Sequence, residues 1–215
     1  MAKAVILGAT GAIGKKVLEE CIHNEYYEKI YLFGRNSILN IPINKKVERF
    51  VIDFENIGEI SDVILENADV FACLGTTLKL AGSKEKQRLI DYQYTVNFAQ
   101  KCENKVKSFA VVSAIGADTK KSNFYLGLKQ ELETTLSKMN LGILRIIRPS
   151  LLIAKREDRK LENIGNYLAP VVSIFLIGKL SEYKAIKVEN VAKSMVHYAV
   201  NNLPSKVYTY KDFVK

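Results

Sequence analysis

Tryptophan is absent from this 215-residue chain, histidine occurs only twice, and methionine and cysteine occur three times each. The two histidines, His23 and His197, have no carboxylate or thiol at ligand spacing, so neither a metal site nor a histidine-based nucleophile is expected. Cys21, Cys73 and Cys102 are odd in number and lack metal spacing. They read as reduced thiols, not as a disulfide framework. No apolar run reaches the roughly 20 residues of a spanning helix. The longest, 167–178 (YLAPVVSIFLIG), is broken by Pro170 and reads as a buried helix, a substrate lid or an oligomer contact. Repeats and low-complexity tracts are lacking, and the strand pattern begins at residue 3, leaving no room for a secretory signal. A cytoplasmic protein without a membrane span is the expectation.

What is present fits one globular domain over 1–215, with 48% hydrophobic and 26% charged residues. Net charge is +9 and unevenly placed: residues 1–100 carry 12 Lys/Arg against 13 Asp/Glu, residues 101–215 carry 20 against 10. The basic residues are scattered and surrounded by no nucleic-acid motif, so nucleic acid is disfavoured as a partner. Strong binding to DNA that fell steeply with salt would revive it.

Apolar runs alternate with helical patterns. Strands are expected at 3–7, 29–33, 47–52, 70–74, 109–113 and 143–147, and helices at 12–23, 57–65, 84–101 and 124–139. Such alternation predicts an α/β fold, a doubly wound parallel sheet of Rossmann-like form. A basic loop, the apolar segment, a helix over 189–201 and a short strand over 206–210 follow, read as a small C-terminal substrate-side extension covering about 155–215.

The first strand runs into Gly8-Ala9-Thr10-Gly11-Ala12-Ile13-Gly14. Gly8 permits a sharp turn, Gly11 a close backbone approach to a pyrophosphate, and Gly14 close packing of helix on strand. Unpaired N–H groups of the first helical turn then face the anion. The spacing is G-x-x-G-x-x-G, one residue longer between the first two glycines than the usual dinucleotide fingerprint. After the second strand comes Arg35-Asn36 with no acidic residue beside it. Arg35 suits a ribose 2′-phosphate, which favours NADP(H) over NAD(H). Asp53-Phe54 closes the third strand, where the carboxylate could meet an adenine amino group or cap a turn. Leu74-Gly75-Thr76 closes the fourth and lets a ribose lie against backbone.

Ser113, Tyr125 and Lys129 are the catalytic candidates. Tyr125 and Lys129 stand at i and i+4, sharing one helix face. An ammonium beside a phenol stabilises phenolate and lowers the tyrosine pKa, while a strand-end serine could hold a substrate oxygen.

Together these residues resemble the short-chain dehydrogenases/reductases. Further strings are similar to one atypical group of them, the Tat-interacting-protein-like oxidoreductases: residues 33–35 (FGR), 51–54 (VIDF), 73–77 (CLGTT), 81–82 (AG), 113–118 (SAIGAD), 122–129 (SNFYLGLK) and 148–152 (RPSLL). The resemblance spans 3 to about 160. It implies that Thr10 to Ile13 hold a pyrophosphate, Arg35 with Asn36 the 2′-phosphate, and Leu74 with Gly75 the ribose. Tyr125 would exchange the proton and Lys129 would touch both ribose and Tyr125. Leu152 and Arg159, after the Arg148-Pro149 turn, would meet the nicotinamide end or the phosphates. Where Asn36 stands, members often have a second arginine.

The function so implied is NADP(H)-dependent oxidation or reduction of a carbonyl/alcohol pair on a small-molecule substrate. The alternative is an NADP(H)-binding regulatory or scaffold protein without turnover. Family analogy also has helices 84–101 and 124–139 pairing two subunits in a homodimer.

Overall fold

The computed structural model describes residues 2–119, 123–153 and 184–214. Strand β1 (Ala2–Leu7) shows why its sequence is almost wholly apolar. Ala4 and Ile6 face one helical layer, Val5 and Leu7 the other, and all four are fully buried. A strand covered on both faces has no polar side to alternate with. Six more strands join it: β2 (Tyr27–Gly34), β3 (Val47–Val51), β4 (Asp69–Ala72), β5 (Ser108–Val112), β6 (Ile143–Ile147) and β9 (Lys206–Tyr208). They form one sheet in the order β3-β2-β1-β4-β5-β6-β9, and every pairing is parallel. Strand order reverses between β1 and β4, so the crevice beyond Leu7 and Ala72 is where an open α/β sheet takes its ligand.

On one face lie α1 (Ala12–His23) and α7 (Val188–Val200), packed on each other through residues such as Val17, Cys21, Val191 and Met195. On the other lie α5 (Tyr94–Cys102) and α6 (Phe124–Leu136), which bury Phe98, Cys102, Leu132 and Leu136. Shorter helices α2 (Asp62–Leu65), α3 (Leu78–Ala81) and α4 (Lys84–Arg88) complete the set, with a 3-10 turn over Asn36–Asn40.

Several expectations shift. The helix predicted over 57–65 shrinks to its last turn, Asp62–Leu65. The helix predicted over 84–101 is continuous from α4 into α5, but a π-helical turn at Leu89–Gln93 joins the two. Part of the expected substrate-side extension belongs to the sandwich itself. Helix α7 covers α1, and β9 is the seventh strand of the main sheet, because Val191, Ala192, Met195 and Tyr208 carry the apolar surface that the β1 side of the sheet needs covered. Outside that sheet, a two-stranded pair joins β7 (Leu152–Ile153) to β8 (Ile186–Lys187). The apolar run 167–178, the basic loop and Arg159 lie outside the described residues.

Candidate functional site

At the end of β1 the chain turns at Gly8, whose φ of +77° suits a residue without a Cβ. A Cβ there would also lie 2.7 Å from the Cys73 carbonyl oxygen, which follows β4. Gly14 is tighter still: its Cβ would come within 2.1 Å of the Gly8 carbonyl oxygen, so glycine is what allows α1 to pack onto the turn. Gly11 differs. It is exposed, its amide donates to Gly8 O at 2.9 Å, and an added Cβ would sit 3.3 Å from that oxygen, a far milder approach than at Gly14. Helix α1 starts with no side-chain cap and no acidic residue in its first turn. Such an end, with Thr10 exposed beside it and Ala12 and Ile13 opening the helix, fits an anion.

Beyond β2 and β3 a pocket of about 500 Å³ is lined by Arg35, Asn36, Asp53, Phe54 and Tyr94, among others. The Phe54 and Tyr94 rings stack at 5.1 Å, and the Tyr94 hydroxyl donates to Glu55 at 3.2 Å. Arg35 and Asn36 are exposed, their side chains open to a ligand. Asp53 both lines the pocket and caps a turn, its carboxylate accepting from Glu55 N at 2.9 Å. Arg35 and Tyr94 are close enough for the cation to oppose the rise that burial imposes on the phenol.

Leu74, Gly75 and Thr76 run along the crevice after β4. Beneath them lies Asp91, fully buried, whose Oδ2 accepts from Thr76 N at 3.1 Å and whose Oδ1 lies 3.1 Å from Lys129 Nζ. Lys129 is 2% exposed and also donates to Val112 O at 3.4 Å. Its ammonium sits 5.7 Å from the centroid of the Tyr125 ring, so the i, i+4 pair does meet.

The expected electrostatic consequence is reversed in sign. The Tyr125 pKa is raised, because burial outweighs the Lys129 charge that lowers it, and Asp91 pushes the same way as burial. For Lys129 burial disfavours the charge, yet Tyr125, Asp91 and Glu133 hold its pKa above the ordinary lysine value.

Ser113 goes elsewhere. Its amide still donates across the sheet to Ile147 O at 2.7 Å, and its side chain enters the layer under α6, where its hydroxyl donates to Glu133. Glu133 is held in turn by Arg148, through Nε at 2.9 Å and Nη2 at 2.6 Å, and Arg148 reaches Asp118 at 2.6 Å. Pro149 follows Arg148 and accepts from Ile115 N at 3.0 Å, and Leu152 opens β7.

The sequence reading missed Asp91, Glu133, Arg148 and Tyr94. A signal existed for two of them. On α6 the buried stripe Leu128, Lys129, Leu132, Glu133, Leu136 contains two charged residues, and between α4 and α5 Asp91 shares the buried face with Gln87 and Thr95. A charge in an apolar stripe is buried only when paired.

Residues 8–160 match the family model described as NAD(P)H-binding. The chain belongs to this family. It is 30% identical over 202 residues to protein HTATIP2 of Rattus norvegicus, covering 93% of this chain and 80% of that one. It is 31% identical over 167 residues to the mitochondrial protein FMP52 of Candida glabrata, covering 77% and 70%. Among solved structures, the oxidoreductase ylbE of Lactococcus lactis matches with a TM-score of 0.65 at 20% identity, over 95% of this chain and 88% of that one. The Bordetella bronchiseptica enzyme WbmF in complex with NAD+ matches with a TM-score of 0.71 at 12% identity, over 99% and 74%. The fold is therefore the one that these two proteins share. Among the described residues no helix is long and apolar enough to cross a membrane, and no cluster of three or more His, Cys, Asp or Glu could hold a metal ion.

Proposed function

We propose that the protein is an NADP(H)-dependent reductase or dehydrogenase acting on a carbonyl/alcohol pair of a small molecule. The observation that carries the reading is the meeting of Tyr125 with a buried, ion-paired Lys129 under the crevice at the strand-order reversal. When bound, the nicotinamide nucleotide supplies or accepts the hydride. Gly8, Thr10, Gly11, Ala12, Ile13 and Gly14 would hold its pyrophosphate, and Arg35 with Asn36 a 2′-phosphate. Asp53 and Phe54 would lie at the adenine, and Leu74, Gly75, Thr76 and Lys129 along the nicotinamide ribose. Pro149 and Leu152 would meet its nicotinamide end or its phosphates, as would Arg159, which lies outside the described residues.

Tyr125 is half-buried and its proton is held firmly, so at neutral pH it stands ready to donate to a developing alkoxide. The Lys129 cation favours the phenolate left behind. Replacing Tyr125 with Phe should keep cofactor affinity, read by calorimetry with NADPH, and lower turnover by about 100- to 10,000-fold. A variant of normal rate would remove the mechanism.

One observation favours the second reading, a cofactor-binding regulatory protein without turnover. Ser113, which would hold a substrate oxygen, spends its hydroxyl on Glu133 and is 2% exposed. Following NADPH absorbance against a panel of aldehydes and ketones separates the two: silence across the panel together with tight cofactor binding supports the regulatory role.

Three unpaired thiols suit a reducing compartment, and we place the chain in the cytoplasm. Cell fractionation tests that location against the mitochondrion, which the names of the yeast relatives make the competing one. A homodimer through the α4–α5 and α6 faces is tested by light scattering.

A further inference from the structure

The buried carboxylate of Asp91 has no part in the mechanism above, yet it touches two pieces of the machinery. It lies buried in the π-helical turn between α4 and α5, an irregularity often found at functional sites. Burying a lone carboxylate is costly, and here the cost is offset by one backbone amide and one ammonium. The amide is that of Thr76, at 3.1 Å from Oδ2. The ammonium is that of Lys129, at 3.1 Å from Oδ1, an ion contact and not an aligned hydrogen bond, so that Oδ1 has no hydrogen-bond donor among the described residues.

We propose that Asp91 is a positioning residue that fixes Lys129 and the Leu74–Thr76 turn in one frame and neutralises the Lys129 charge, thereby setting the pH at which the Tyr125–Lys129 pair gives up its proton. The inference rests on the reading of Tyr125 and Lys129 as the proton-transfer pair.

The sign follows from the groups that face the pair. Lys129 is faced by Tyr125 and Glu133 from its own helix, by Asp91 from the π-helical turn and by Cys73 from the end of β4, where the ammonium lowers a thiol that burial has raised. Tyr125 is faced by Lys129 and Asp91. Asp91 itself is raised by burial and lowered by Lys129 and by the Thr76 amide. Removing the negative charge of Asp91 leaves the pair, one neutral phenol and one cation, with less to hold its proton. The first proton then leaves at lower pH whichever of the two groups releases it, because coupled groups titrate as a unit.

Asp91→Asn tests this, since an amide of the same shape still accepts from Thr76 N but carries no charge. The Tyr125 ring carbon bearing the hydroxyl and the Lys129 carbon bearing the ammonium, observed together by carbon-13 NMR and assigned with Tyr125→Phe and Lys129→Met, should show the first titration step of the pair at a pH lower by about one unit or more than in the parent protein. An unchanged or higher midpoint would overturn the proposal. A second measurement guards against a poorly folded variant. Lys129→Met strands the Asp91 carboxylate, and adding Asp91→Asn should restore part of the lost melting temperature. A double variant no more stable than Lys129→Met alone would equally overturn it. Neither readout needs turnover. Silence of the parent protein on the carbonyl panel would remove the enzymatic reading while leaving the titration to decide the role of Asp91.

Discussion

Three glycines in one turn do three different jobs, and substitution separates them. Gly14→Ala forces a Cβ to within 2.1 Å of a backbone oxygen that cannot swing aside. A loss of about 1–3 kcal/mol, read as a melting temperature lower by several degrees, is expected. Gly11→Ala meets its nearest atom, the Gly8 carbonyl oxygen, at 3.3 Å, a tight contact that a shift of a few tenths of an ångström relieves. Its stability should fall less than that of Gly14→Ala, while calorimetry should show weaker NADPH binding, because the methyl group crowds the turn a phosphate would approach. Equal loss of stability in the two variants would contradict this division. At the other end, Arg35→Ala should weaken NADPH by about tenfold or more, the worth of a charge-assisted hydrogen bond, and leave NADH nearly unchanged. Equal weakening of both nucleotides would remove the 2′-phosphate role. The glycine turn was legible in the sequence because its chemistry is local: a turn and a helix start follow one another within a few residues. Asp91 and Ser113 were not, because what a buried polar side chain touches is set by elements 15 to 38 positions away: Thr76 and Lys129 for Asp91, and Glu133 for Ser113.

Helix α6 carries Tyr125 in its first turn and Lys129 in its second, so the start of this element sets the geometry of both. Asn123 caps it, its side-chain oxygen accepting from Leu126 N at 3.0 Å. Asn123→Ala should cost about 1 kcal/mol and lower the melting temperature by roughly 2–4 °C. Turnover on any substrate found should fall further than that loss of stability explains, since the fraying turn is the one bearing the tyrosine. An unchanged rate with the expected loss of stability would show that the cap serves folding alone. The limits of α1 and β6 match their sequence patterns, because amphipathic periodicity and strand propensity agree there. The π-helical turn at Leu89–Gln93 did not show in the pattern, since one extra residue in a turn shifts the apolar stripe without breaking it.

The molecule as a whole buries groups that must stay protonated to remain where they are. Cys21, Cys102 and Tyr27 are fully buried, and burial pushes each of their pKa values up, with Asp69 adding to the effect at Cys21 and Tyr27. The unfolded chain releases these protons from about pH 9 upward, whereas the folded one retains them. Stability is therefore complete below that pH and is lost as pH rises, by about 1.4 kcal/mol per pH unit for each group held protonated only in the fold. Melting temperatures measured from pH 8 to 11 should fall steadily. A flat profile would mean that these groups are open to water.

By itself the sequence determined the doubly wound sheet and the glycine-lined turn, because strand and helix periodicities, glycine spacing and a charge at a strand end are properties of neighbouring residues. Tertiary structure alone decided that Ser113 belongs to the Glu133–Arg148 network, that Tyr125 has its pKa raised by burial, and that the C-terminal helix and strand complete the sandwich. Burial and charge pairing depend on which distant segments meet, and those meetings are fixed only when the layers close on one another.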